Sequence, residues 1–170
     1  MSGFPLIVPR PRLALACLLF ALAGATGFAR IGETLDLLTK RFGKSPERDS
    51  PKHMAVWFVE SIDGALVYTV TLNAKGVSIA EGIKPLKFAQ LTEKIATDFL
   101  QDQMALLKDS KTAQQVKPGQ KYTFAGQSFT CGEQEYVVLD QERGLLLVWS
   151  RGAVPSVMAV TREMLQHPPE

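Results

Sequence analysis

The stretch KFAQLTEKIATDFLQDQMALLK, Lys87–Lys108, decides the fold. Phe88, Leu91, Ile95, Phe99 and Leu106 recur at spacings of three, four, four and seven. At 100° per residue they fall within a band of roughly 80° on one side of a helix, the pattern of a face pressed against a core. Glu93, Lys94, Gln101 and Lys108 lie away from that band, and neither Gly nor Pro interrupts it. Pro85 stands just upstream, and the chain turns polar after Lys108. The spacing predicts one long helix, and ~20 residues of helix reach ~30 Å, enough to lie across a small sheet.

The flanking sequence supplies that sheet. Upstream, His53–Glu60 is apolar and aromatic, and Ala65–Asn73 carries Val67, Tyr68, Thr69, Val70 and Thr71, all strand formers. Ser61-Ile62-Asp63-Gly64 joins them as a hairpin turn, Lys75-Gly76 offers a second turn, and Val77–Glu81 a third strand. Downstream, Asp109–Gln120 reads as a polar loop with Pro118-Gly119 as its turn. Lys121–Cys131 then holds a strand pair about Ala125-Gly126-Gln127. Tyr136–Leu139 and Leu145–Trp149 flank the hairpin composition of Asp140–Gly144. Ser156–Thr161 reads as a last strand, Arg162–Gln166 as a helical turn, and His167–Glu170 as a flexible tail. Before all of these, Leu35, Leu38 and Phe42 mark a short amphipathic helix, capped by Thr34 or Gly32 and closed at Gly43, and Lys44–Lys52 reads as a loop. Each half runs helix, then antiparallel strands. The expected fold is α+β, an antiparallel sheet with a long central helix and a short N-terminal helix packed on one face.

Residues 1–29 have the make-up of an export signal. Arg10 and Arg12 precede the uncharged run Leu13–Ala25, and Gly27-Phe28-Ala29 places small residues at the −3 and −1 positions of a cut after Ala29. A lipid-bearing Cys17 fits poorly, because most of the apolar run lies after it. The expectation is a single domain, residues 30–166, that is periplasmic or secreted and meets membrane only through its leader. The net charge of +2 comes from the leader, since 17 basic residues then balance 17 acidic ones. That balance argues against nucleic acid as a partner. Cys131 is left as a lone cysteine, the pattern of a small buried hydrophobe.

Two stretches carry a resemblance. Arg30-Ile31-Gly32-Glu33-Thr34 with Arg41-Phe42-Gly43-Lys44, and Val77-Ser78-Ile79-Ala80-Glu81-Gly82, resemble segments of uncharacterised small exported bacterial proteins with an Arg-Ile-Gly-Glu-Thr mature start. Gly32, Leu38 or Thr39, Gly43 and Pro46 also follow, remotely, the helix outline of outer-membrane assembly lipoproteins of the BamE/SmpA type and of β-lactamase-inhibitor proteins. The lipid-carrying cysteine of the former has no counterpart at Arg30. The resemblance implies a secreted protein of unassigned role.

Candidate chemistry is sparse. Cys131 as nucleophile with His53 as base is the one arrangement that would make a hydrolase, and no Gly-x-Ser-x-Gly elbow surrounds a serine. Two distant histidines and one cysteine do not make a metal site, and neither a phosphate loop nor another cofactor motif is present. Glu93, Asp98 and Asp102 read as a solvated helix face. Aromatic residues concentrate in the strands, and neighbours such as Trp57 and Phe58 must face opposite ways. Trp57, Phe58, Tyr68, Tyr136 and Trp149 are therefore the candidate binding residues. The sequence points to a non-catalytic binding or interaction protein, its partner an envelope or secreted protein, with a structural envelope component as a third reading.

Overall fold

Tandem meanders meet at their last strands. The computed structural model describes residues 27, 28, 30–43, 47–49, 53–61, 64–87 and 89–168, with the backbone alone at 47–49 and 61. The leader apart from Gly27 and Phe28, Phe88, the centre of the Ser61–Gly64 turn, much of the Lys44–Lys52 loop and the end of the tail lie outside the described residues. The first half runs α1 (Leu35–Phe42), β1 (Glu47–Asp49), β2 (Met54–Ser61), β3 (Gly64–Leu72) and β4 (Ser78–Pro85). The second runs α2 (Glu93–Met104), β5 (Gln114–Val116), the hairpin β6 (Lys121–Phe124) and β7 (Gln127–Thr130), β8 (Glu135–Asp140), β9 (Leu145–Ser150), β10 (Ser156–Thr161) and α3 (Arg162–Gln166). The eight-stranded sheet has the order β1-β2-β3-β4-β10-β9-β8-β5, every pair antiparallel, so the halves are laid head to head with the β6–β7 hairpin inserted into the second.

Turn chemistry sets the register. Ser61 pairs with Gly64 across a two-residue turn. Ala125 and Gly126, at φ 53° and 83°, form the two-residue turn of β6–β7, a left-handed pair whose twist suits a hairpin. Alternation then divides the side chains between faces. Trp57, Tyr68, Ile83, Val157, Trp149 and Tyr136 are register partners in succession across the sheet and share one face. Helices α1 and α2 cover that face, burying Leu38, Ala96, Phe99 and Leu100 against Leu66, Val70, Leu147 and Ala159. Each Leu, Val or Phe among them contributes ~1.5–3 kcal/mol by leaving water. On the opposite face, the described residues form a hydrophobic cluster over the second half. There the β6–β7 hairpin and Leu165 of α3 close a separate cluster of Val116, Phe124, Cys131, Val137, Leu139 and Leu146.

The central helix is shorter than the apolar spacing predicts. It spans twelve residues, Glu93–Met104, and tightens into a three-residue 3₁₀ turn at Ala105–Leu107. Two interactions upstream prevent its extension. Leu86 N–H donates to Ala65 O and Ala89 N–H to Leu86 O, at 2.9 Å each, which commits that segment to a turn. Thr92 then caps the helix with extended backbone, its side-chain oxygen accepting from Ile95 N–H at 3.4 Å. Leu91 still packs on the core, half-buried, so the apolar period continued beyond the helix. The two loops expected at Lys44–Lys52 and Asp109–Gln120 each contribute a three-residue edge strand, β1 and β5.

Candidate functional site

A cleft separates α2 from the strands of the second half. Tyr136 on β8 and Trp149 on β9 are register partners, half-buried and side by side. The helix presents Thr97, Leu100, Gln101 and Met104 to them at i, i+3, i+4 and i+7 spacing, and these six residues line a space of about 350 Å³. None of the six is Asp, Glu, Lys, Arg or His. The guanidinium of Arg151 lies 5.0 Å from the Trp149 ring centroid, a cation–π contact that steadies the indole. Past Met104 and Tyr136 the cleft continues into a second lobe of about 350 Å³, bordered by Leu107, Lys108, Ala113, Gln114, Gln115 and Val138.

The rim of that lobe is held by Asp140. Its Oδ1 accepts from Thr112 Oγ1 at 2.8 Å and from Arg143 N–H at 3.0 Å, and Ser110 Oγ accepts from Thr112 and Ala113 N–H at 3.1 Å each. Burial alone would raise the pKa of this carboxyl, but the hydrogen bonds it accepts, led by Arg143 N–H, outweigh it and hold the group below its ordinary value. Asp140 therefore ties the chain after α2 to the β8–β9 turn, beside the strand β5 that walls the lobe.

The five candidate aromatics do not converge on one surface. Tyr136 and Trp149 meet in the cleft. Trp57 is 3% exposed, donates its indole N–H to Gly43 O at 2.9 Å and packs against Phe42 and Tyr68 with centroids 5.7 and 6.0 Å away. Tyr68 is fully buried. Phe58 points from the other face of the first half and is 48% exposed. Cys131 is buried in the second cluster, its thiol donating at 3.7 Å to Val116 O. Burial, then the carboxylate of Glu135, push that thiol upward and favour its unreactive form. His53 is exposed at the start of β2 with φ 49°.

Sequence reasoning missed a buried polar network. Glu81 on β4, in phase with buried Ile83, is 2% exposed. Its Oε2 accepts from Tyr68 Oη at 2.8 Å and from Gln103 Nε2 at 3.0 Å, while Oε1 has no partner. Gln103 in turn accepts from Ile31 N–H at 3.0 Å through Oε1. Ser78 Oγ accepts from Gly32 N–H at 3.0 Å and donates to Arg30 O at 3.3 Å. Glu33 takes Arg41 at 2.9 Å, and the segment reaches α1 through the Thr34–Val77 bridge. Burial raises the Glu81 carboxyl above its ordinary value, against the pull of its hydrogen bonds, Tyr68's foremost. Burial, then Glu81, keep the Tyr68 phenol protonated. The signal was a carboxylate in the inward phase of a strand and a glutamine one helical turn after Phe99.

No helix among the described residues is long and apolar enough to cross a membrane. No family model matches the chain, and neither a curated protein nor a solved structure is significantly similar to it.

Proposed function

We propose that this is an exported, non-catalytic binding protein whose ligand occupies the cleft between α2 and strands β8 and β9. The observation that carries the reading is the pairing of Tyr136 and Trp149 opposite Leu100 and Met104, in a recess without a formal charge on its six lining residues. A cleft of about 350 Å³ is within the size range of small-molecule sites. Its aromatic wall suits a flat apolar body, and Thr97 and Gln101 offer the hydrogen-bonding groups that would orient it. The ligand class is therefore an uncharged, planar, largely apolar molecule. The buried, proton-retaining Cys131 supports binding over nucleophilic catalysis.

The test uses two probes with one skeleton. N-phenyl-1-naphthylamine is uncharged, and 1-anilinonaphthalene-8-sulfonate adds an anionic group. The neutral probe binds saturably at 1:1, and the sulfonate binds at least about tenfold more weakly, since its charge must be desolvated and none of the six lining residues supplies a counter-charge. Trp149→Ala reduces the affinity for the neutral probe by about tenfold or more, the scale of a buried aromatic anchor. Met104→Glu, at a position already 39% exposed, does the same without opening the core. Phe58→Ala, on the opposite face, leaves it unchanged. Non-saturable binding, equal affinity for both probes, or equal loss in Phe58→Ala overturns the reading.

A further inference from the structure

The packing of Phe28 bears on where the leader ends. Its ring lies 5.8 Å from Phe99 in an edge-on contact and 6.4 Å from Tyr68, centroid to centroid, and packs, half-buried, against the main core. Its carbonyl accepts from Arg41 Nη1 at 2.9 Å, while Nη2 of the same guanidinium binds Glu33 at 2.9 Å. Arg41 thus clamps residue 28 to the Arg30–Thr34 segment. Gly27 is also seated, since a Cβ there would stand 3.1 Å from Asp102 Oδ2 on α2. A cut after Ala29 would remove Phe28 and leave Phe99 and Tyr68 facing a gap. It would also free one arm of Arg41 and place a charged α-amino group on Arg30, next to Ile31, whose N–H bonds buried Gln103.

We propose that the export leader is cleaved four residues earlier, between Ala25 and Thr26, so that Phe28 enters the mature protein and packs against its core. Ala23-Gly24-Ala25 meets the requirement for small residues at −3 and −1 directly after the apolar run, so the local sequence permits this bond as well as the one after Ala29. What separates the two bonds is the folded core, which uses Phe28 and Gly27. This inference rests on the export reading above but not on the ligand. The same polypeptide, cut at either bond, has the same cleft.

The experiment is export of the full chain from a bacterial host, followed by intact-mass measurement and N-terminal sequencing of the periplasmic protein. The expected mature chain begins Thr26-Gly27-Phe28. Ala29→Leu, which blocks a −1 site at that position, is processed as efficiently as the parent and keeps the same first residue, whereas Ala25→Leu accumulates precursor. A mature chain beginning at Arg30 or any other residue, or accumulation of Ala29→Leu precursor, overturns the assignment. A chain exported nowhere and left uncut overturns it too, and the export reading with it, whereas a start at Arg30 leaves export intact.

Discussion

Glu81→Gln tests the buried network through its proton. In the folded protein burial lifts the Glu81 carboxyl above the ordinary 4.5, so between that value and its raised folded value the native state holds a proton that the unfolded chain has lost. Stability must then fall as pH rises through this window, with a slope of up to about 1.4 kcal/mol per pH unit from this one group. The sign is opposite to that of Asp140, whose depressed carboxyl adds stability above its unfolded value and loses it as pH falls. Glutamine keeps the shape. Its carbonyl can replace Oε2 as acceptor for Tyr68 and Gln103, and its amide takes the place of the unpartnered Oε1. The groups acting on Glu81 are Tyr68 and Gln103 by hydrogen bonding, the neighbouring Ser78 hydroxyl, and Glu33 by charge. The assay is urea unfolding of parent and variant from pH 4 to 8. The difference between the two curves is expected to be small near pH 4 and to grow with pH in favour of the variant until the folded carboxyl has ionised, then level off. Tyr68→Phe removes the strongest bond to the carboxylate and extends the rise to higher pH. Parallel parent and Glu81→Gln curves would refute the reasoning, because a carboxyl that titrates alike in both states contributes no slope.

Two further outcomes follow from packing. Gly64 has φ 109°, and a Cβ there would lie 2.8 Å from Ala89 Cβ, so Gly64→Ala should lower unfolding stability by about 1–3 kcal/mol in chemical denaturation, whereas Gly76→Ala, at φ 72° with open space around it, should cost less. Cys131 is 1% exposed, so iodoacetamide at neutral pH should label it only after urea unfolding; rapid labelling of the native protein would restore the case for a reactive thiol.

Much of the sheet is legible in the sequence because its turns have distinctive chemistry. Asp63-Gly64, Lys75-Gly76, Ala125-Gly126 and Arg143-Gly144 each stand at a strand connection, and the β-branched runs between them are the strands. The edge strands are not legible. Gln114-Gln115 and Glu47-Arg48-Asp49 are polar, as edge strands that avoid pairing with other chains tend to be, and polar triplets read as loop. The overlong helix has a different origin. Hydrophobic period reports packing against the core, and Leu91 packs there, half-buried, from outside the helix, so only the Thr92 cap separates helix from approach. At the site, alternation showed that Trp57 and Phe58 diverge, but not which neighbour would be covered. That depends on α1 lying over the first half, where Phe42 meets Trp57, and on a hairpin closing the far side of the second.

The network and the cleft share one helix, which explains why a carboxylate and an amide stand where leucines would bury more apolar surface. Gln103 uses both ends of its amide, accepting from Ile31 N–H and donating to Glu81, so it responds to the rotation of α2 about its own axis in a way that an apolar contact does not. Met104 is the next residue, and Leu100 and Thr97 lie one and two turns before Gln103. Fixing the rotation at Gln103 therefore fixes the direction in which the helical wall of the cleft faces Tyr136 and Trp149. A slip of one residue would carry Met104 away and bring Asp98 or Asp102 toward the aromatic pair, which would reverse the chemistry of the recess. The desolvation of Glu81 lowers stability, and what it provides in return is a single orientation for an otherwise apolar helix face, the kind of specificity that buried polar pairs confer in other packed helices.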